Sequence, residues 1–144
     1  MRIVCCGTPF RGDDGAGLMV SERLRQLGIQ VQTCTGEATD LIEAMDGSKE
    51  VLIVDAAITG APAGTIHEWS DCTLELQRDS STTHTLGVAE GIALARVLGR
   101  LPEQLHMYSI EAKTFEVGNE VSVEVRYSAD KLAKRIADLV ATGN

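Results

Sequence analysis

Aromatic residues are nearly missing from this chain: one Trp, two Tyr and two Phe, 3% of its 144 residues. Hydrophobic residues still make up 44%, so the core must be aliphatic. Basic residues are outnumbered, 13 Lys and Arg against 21 Asp and Glu, for a net charge of −8. Nucleic acid and anionic membrane both call for basic patches, so neither is an expected partner. No apolar run reaches the roughly 20 residues of a membrane-spanning helix, and Met1-Arg2-Ile3-Val4 opens a strand with no leader pattern. Membrane insertion is therefore not expected, and the expected location is the cytoplasm. The four cysteines (Cys5, Cys6, Cys34, Cys72) form no Cys-x-x-Cys pair, which supports neither a zinc knuckle nor a redox motif. Buried, inert thiols are the default. Also absent are Gly-x-Ser-x-Gly, His-Glu-x-x-His and a Cys–His pair with supporting context, so a covalent protease is not written in the chain. Internal repeats and low-complexity stretches are missing too, and the chain reads as one domain, residues 1–144.

What is present is organised around Gly7-Thr8-Pro9-Phe10-Arg11-Gly12-Asp13-Asp14-Gly15-Ala16-Gly17. An apolar run precedes it and an amphipathic run follows, the order strand, loop, helix. Glycine loops of this kind usually cradle phosphate. Here Asp13 and Asp14 stand where a P-loop needs lysine and a hydroxyl. Two carboxylates repel phosphate and attract a metal ion. In the plainer reading, Asp13 caps the helix and Asp14 fills its first turn.

The rest of the chain alternates strand and helix at first. Strands are expected at 2–6, 29–34 and 51–54, with helices near 14–27 and 39–45. Val51-Leu52-Ile53-Val54 has no polar alternation, as in a strand buried on both faces. The next connection, 56–63, is too short for a parallel crossover, so the strand 64–69 should turn back and run antiparallel. Residues 70–80 read as irregular. A helix is expected from His84 to Leu98 and a strand at 105–110. Residues 120–127 are ambiguous, alternating like a strand while Ser122 offers a helix cap. The expected class is α/β, a mostly parallel sheet with one antiparallel strand.

In such sheets ligands bind beyond the carboxyl ends of the strands, where strand order reverses. A 2-1-3 order puts Asp14 and Asp55 across that switch point, and a helix starting at His84 can reach the same edge. Asp14, Asp55 and His84 then form an open O,O,N set for a transition metal, with room left for substrate or water. Each has a dull alternative: Asp55 holding a loop, His84 capping a helix. His67 and His106 are given no role.

These pieces resemble the nickel–iron hydrogenase maturation endopeptidases. The resembling segments are Gly7…Gly12-Asp13-Asp14-Gly15-Ala16-Gly17, Val54-Asp55-Ala56, Pro62-Ala63-Gly64-Thr65, Thr83-His84-Thr85-Leu86-Gly87 and Leu101-Pro102. The resemblance implies that the α/β fold is a three-layer, twisted, mostly parallel sheet with one antiparallel strand and helices on both faces, and that Asp14, Asp55 and His84 are the metal-binding and catalytic residues. It implies an endopeptidase that trims the C-terminal extension of a hydrogenase large-subunit precursor after nickel insertion. It also implies that the nickel is carried by that precursor, and another divalent transition metal is expected to substitute for it in the isolated protein. Where family members often carry Asp-Gly-Gly-Thr, this chain has Thr33-Cys34-Thr35-Gly36-Glu37, and Thr8 stands where Asn is common. Two rival readings remain at this point. One is a magnesium-binding phosphoacceptor receiver-like domain with Asp55 as acceptor. The other is a non-catalytic metal chaperone or scaffold.

Overall fold

The computed structural model describes residues 1–8, 11–70, 83–84, 88–116, 118 and 120–143, with backbone alone at 70, 83 and 84. In chain order the elements are β1 (Arg2–Cys6), a 3-10 turn (Gly12–Gly15), α1 (Ala16–Gln26), β2 (Gln32–Cys34), α2 (Ala38–Met45), β3 (Glu50–Ile58), β4 (Ile66–Ser70), β5 (Thr83–His84), α3 (Val88–Val97), β6 (Gln104–Glu111) and α4 (Val123–Gly143). The sheet runs β2-β1-β3-β6-β4, and β5 pairs with β3 outside that path. Strands β2, β1, β3 and β6 are parallel. Strand β4 returns antiparallel to β6, as the short 56–63 connection requires.

Side-chain alternation along the strands sorts the interior into two layers. Ile3, Cys5, Leu52, Val54, Tyr108 and Ile110 pack with Val20 and Leu24 of α1 and Val125, Leu132 and Ile136 of α4. Val4, Cys6, Val51, Ile53, Leu105 and Met107 pack with Leu41, Ile42 and Met45 of α2 and Val88, Ile92 and Ala95 of α3. Full burial of a Leu or Ile side chain stabilises by about 1.5–3 kcal/mol, so both layers contribute to holding the sheet between its helices. Among the described residues no helix is long and apolar enough to cross a membrane.

Two expectations change. His84 does not begin a helix. It lies in β5, opposite Ala57, while the helix starts at Val88. The reason is an open edge: β1 pairs only with residues 51–54 of the nine-residue β3. The projecting end of β3 has backbone groups to satisfy on that side, and Thr83 and His84 take them up. The ambiguous segment at 120–127 resolves as the start of α4, with the Arg126 N–H bonded to the Ser122 carbonyl at 2.9 Å. The irregular stretch expected at 70–80 lies, beyond Ser70, outside the described residues.

Candidate active site

The glycine loop returns to the sheet at Gly17. A Cβ built there would strike the Cys6 carbonyl oxygen and come within 3.0 Å of the Val54 carbonyl oxygen. Helix α1 therefore starts flush against the carboxyl end of β1 and the neighbouring Val54 carbonyl of β3, the strand pair between which strand order reverses. Asp14 lies three residues earlier, in the 3-10 turn, and is 3% exposed. Asp55 lies in β3 at the same rim and is fully buried.

The neighbouring acid has a different task. The Asp13 carboxylate accepts the N–H of Lys113 at 2.6 Å and of Thr114 at 3.2 Å. It also accepts the Ser122 N–H at 2.7 Å and the Ser122 hydroxyl at 3.0 Å. Its own N–H donates to the Thr114 carbonyl at 2.8 Å. Gly12, at φ 58°, presses against that same carbonyl, where a Cβ would stand 2.8 Å from the oxygen. A buried carboxylate needs such partners, and Asp13 spends its lone pairs on the segment from β6 to α4.

Register extends the rim into a polar row. Cys34 pairs with Cys6, Asp55 with Ser109, and Ser109 with His67. Cys5 pairs with Val54, so one residue further on Cys6 adjoins Asp55. Five strands thus end the α2/α3 layer in Cys34, Cys6, Asp55, Ser109 and His67. The Trp69 indole N–H donates to the Ser109 hydroxyl at 2.8 Å. One step beyond, Glu111 accepts the Thr59 hydroxyl at 2.6 Å, the Thr59 N–H at 2.8 Å and the Gly60 N–H at 3.3 Å, and meets His67 Nε2 at 3.0 Å. Burial alone would raise the Glu111 pKa; the hydroxyl and N–H of Thr59, the His67 ring and the Gly60 N–H outweigh it, and the pKa lies below the ordinary value. Two of these residues, Ser109 and Glu111, gave no signal in the sequence: Ser109 is a lone hydroxyl within the strand expected at 105–110, and Glu111 lies one residue past that strand.

The thiols are also sorted by their surroundings. Burial pushes Cys5, on the α1/α4 face, up to about 12. Cys6 and Cys34 are joined by a hydrogen bond in which either sulfur can donate; it raises the pKa of Cys6, burial adding to the rise, and lowers that of Cys34, against burial and with help from the Gly36 N–H.

His84 reaches the same rim in its backbone. It stands opposite Ala57, two residues past Asp55, and its side chain lies outside what is described. Among the described residues, no three His, Cys, Asp or Glu side chains are grouped closely enough to hold an ion. Asp14 and Asp55 are thus brought to one edge, with the His84 backbone beside them; His106 is apart, near Glu50 at the amino end of β3, 3.5 Å away.

A family profile described as hydrogenase maturation protease (HycI) matches residues 35–139. The chain belongs to the hydrogenase maturation protease family. Its peptidase class follows from that membership. Protein FrxA of Pyrococcus furiosus is 27% identical over 135 residues, which span 92% of this chain and 98% of FrxA. The [NiFe] hydrogenase maturation protease HybD of Thermococcus kodakarensis superposes with a TM-score of 0.76 at 24% identity, covering 99% of this chain and 100% of that one. The HybD endopeptidase of E. coli gives 0.77 at 22% identity, with 99% and 94% covered. At these identities the solved structures speak for the fold of a hydrogenase maturation protease. The receiver-like reading falls with the topology as well, since β3 is followed by a turn and the antiparallel β4 rather than by a helix.

Proposed function

We propose that this protein is a nickel-dependent endopeptidase that removes the C-terminal extension of a nickel–iron hydrogenase large-subunit precursor after nickel insertion. The observation that carries the reading is the meeting, in a member of this family, of two buried acids, Asp14 and Asp55, at the β1/β3 switch point. The β5 register, with His84 two residues along from Asp55, supports it.

In this reading the metal is part of the substrate. Asp14, Asp55 and His84 supply an O,O,N donor set, which suits nickel, and they seat the nickel-bearing segment so that the scissile carbonyl lies beside the ion. Such an ion polarises a carbonyl or makes bound water acidic enough to attack. Asp13 keeps the turn that carries Asp14 in place. A precursor lacking nickel is not cut, so cleavage reports maturation. The reaction runs in the cytoplasm, without membrane insertion or nucleic acid.

The test is a cleavage assay with nickel-loaded precursor, nickel-free precursor and an Asp14→Ala enzyme checked for folding by circular dichroism. Shortening only of the loaded precursor, and only by the unmodified enzyme, is expected. Equal cleavage of nickel-free precursor, or cleavage by folded Asp14→Ala, overturns the reading. Tight binding of loaded precursor with no cut would favour a chaperone instead.

A further inference from the structure

Cys6 and Cys34 close the β1 and β2 ends of the polar row, and their sulfurs stand 2.9 Å apart. We propose that these two residues are an oxidisable dithiol that a hydroperoxide converts to an intramolecular disulfide, a modification site beside the cleavage edge.

The backbone already holds the required spacing. The two residues are register partners on adjacent parallel strands. Neighbouring strands lie about 4.7–4.9 Å apart, inside the roughly 4.4–6.8 Å between Cα atoms that a disulfide accepts. From 2.9 Å the sulfurs need only about 0.9 Å of further approach to reach bonding distance. Cys5 does not compete, because it faces the α1/α4 layer. Cys34 is 6% exposed and Cys6 is fully buried, so the oxidant meets Cys34 first.

The chemistry balances with one hydroperoxide. The Cys34 thiolate attacks the peroxide oxygen, the O–O bond breaks, and hydroxide leaves with the electron pair, giving a sulfenic acid. The Cys6 sulfur then attacks the Cys34 sulfur and hydroxide leaves again. The two thiol protons convert the two hydroxides to water. Two thiols and one hydrogen peroxide become one disulfide and two waters.

The bond would tie together the roots of two loops. The Gly7 N–H donates to the Cys34 carbonyl at 3.1 Å, so the loop carrying Asp14 leaves the sheet at this pair. Beyond Cys34 the chain enters the turn before α2, where Asp40 accepts the Thr35 N–H at 2.9 Å.

The test needs no precursor, so its outcome is separate from that of the protease reading. Reduced wild-type protein is treated with hydrogen peroxide, alkylated with iodoacetamide and digested without reductant. A peptide pair linked through Cys6 and Cys34, released by dithiothreitol, is expected. In a Cys5→Ala, Cys72→Ser variant the free thiols should fall from two to none, and adding Cys34→Ser should abolish the link. Alkylation of both thiols after peroxide, a bridge from Cys34 to Cys72, or sulfinate at Cys34 in place of the bridge overturns the proposal.

Discussion

Ser122 donates both its backbone N–H and its hydroxyl to the Asp13 carboxylate, at 2.7 and 3.0 Å. With Lys113 and Thr114 on the same group, Asp13 clips the start of α4 and the turn after β6 to the 3-10 turn that carries Asp14. Asp13→Ala strands three backbone N–H donors in a part-buried place. Unsatisfied donors and lost bonds to a charged acceptor cost about 1–3 kcal/mol each, not additively, so a loss of about 3 kcal/mol is expected. Asp13→Asn should lose less, since its amide oxygen still accepts. Urea unfolding midpoints of the two variants decide this; an Asp13→Ala protein as stable as the parent would show the clip to be idle.

Asp14→Asn should behave in the opposite way. The residue sits one position along, in the same buried turn, yet its proposed task is toward the substrate. Loss of an outer partner of a metal ligand costs 10–100-fold, so loss of a ligand itself should slow precursor cleavage by at least about 100-fold. Its urea midpoint should fall less than that of Asp13→Ala. A variant that loses stability like Asp13→Ala but cuts the loaded precursor at the normal rate would exchange the roles assigned to the two acids.

Much of this was readable from residue order, and the misreadings have physical causes. The unbroken apolar run at Val51–Val54 marked a strand buried on both faces, and the short connection after it forced the reversal into β4. The continuation of β3 to Ile58 was not visible, because Asp55 interrupts the apolar pattern while its backbone still pairs with Ser109. That hidden length is what draws Thr83 and His84 into β5. Val121, Val123 and Val125 alternate as in a strand, but Val123 is 76% exposed while Val125 is fully buried and Val121 packs on the same core. The spacing that counts is four, the helical one. The partners of Asp13 lie about a hundred residues away in the chain, and no local pattern announces them. The placement of Asp14 and Asp55 at one rim followed from the 2-1-3 order, and the side-chain half of the His84 expectation stays with the proposed function.

Gly17→Ala should damage both stability and cleavage. The added Cβ would collide with the carbonyl oxygen of Cys6 and approach that of Val54 to 3.0 Å. Both are strand backbone, so α1 has to move instead. Overpacking of this kind costs about 1–3 kcal/mol, and the movement carries Asp14 with it. Gly28→Ala is the control: nothing lies within 4 Å of its added Cβ, and only its φ of 81° resists. Circular dichroism melts should rank Gly17→Ala below Gly28→Ala, and the cleavage rate should drop for the first alone. Equal cleavage by the two variants would detach the site from the packing of α1.

The last prediction concerns acid. Glu111 is 1% exposed, and burial opposes its charge. The Thr59 hydroxyl and N–H, the His67 ring and the Gly60 N–H reverse that effect and lower its pKa from 4.5. The folded protein therefore holds this proton less tightly than the unfolded chain. The stability Glu111 contributes is fully present above about pH 4.5 and is lost as the pH falls from there through the lower folded value. Glu111→Gln should be less stable at neutral pH, because a neutral amide accepts these donors less strongly than a carboxylate, and its amino group faces donors. It should also lose less stability than the parent between about pH 5 and pH 3, since it has no carboxyl there to protonate. Urea midpoints across that range, taken for both proteins, give the difference in slope. Parallel curves would mean that the carboxylate clamping the Thr59–Gly60 turn to β6 titrates alike in the folded and unfolded chains, and that its donors gain nothing from its charge.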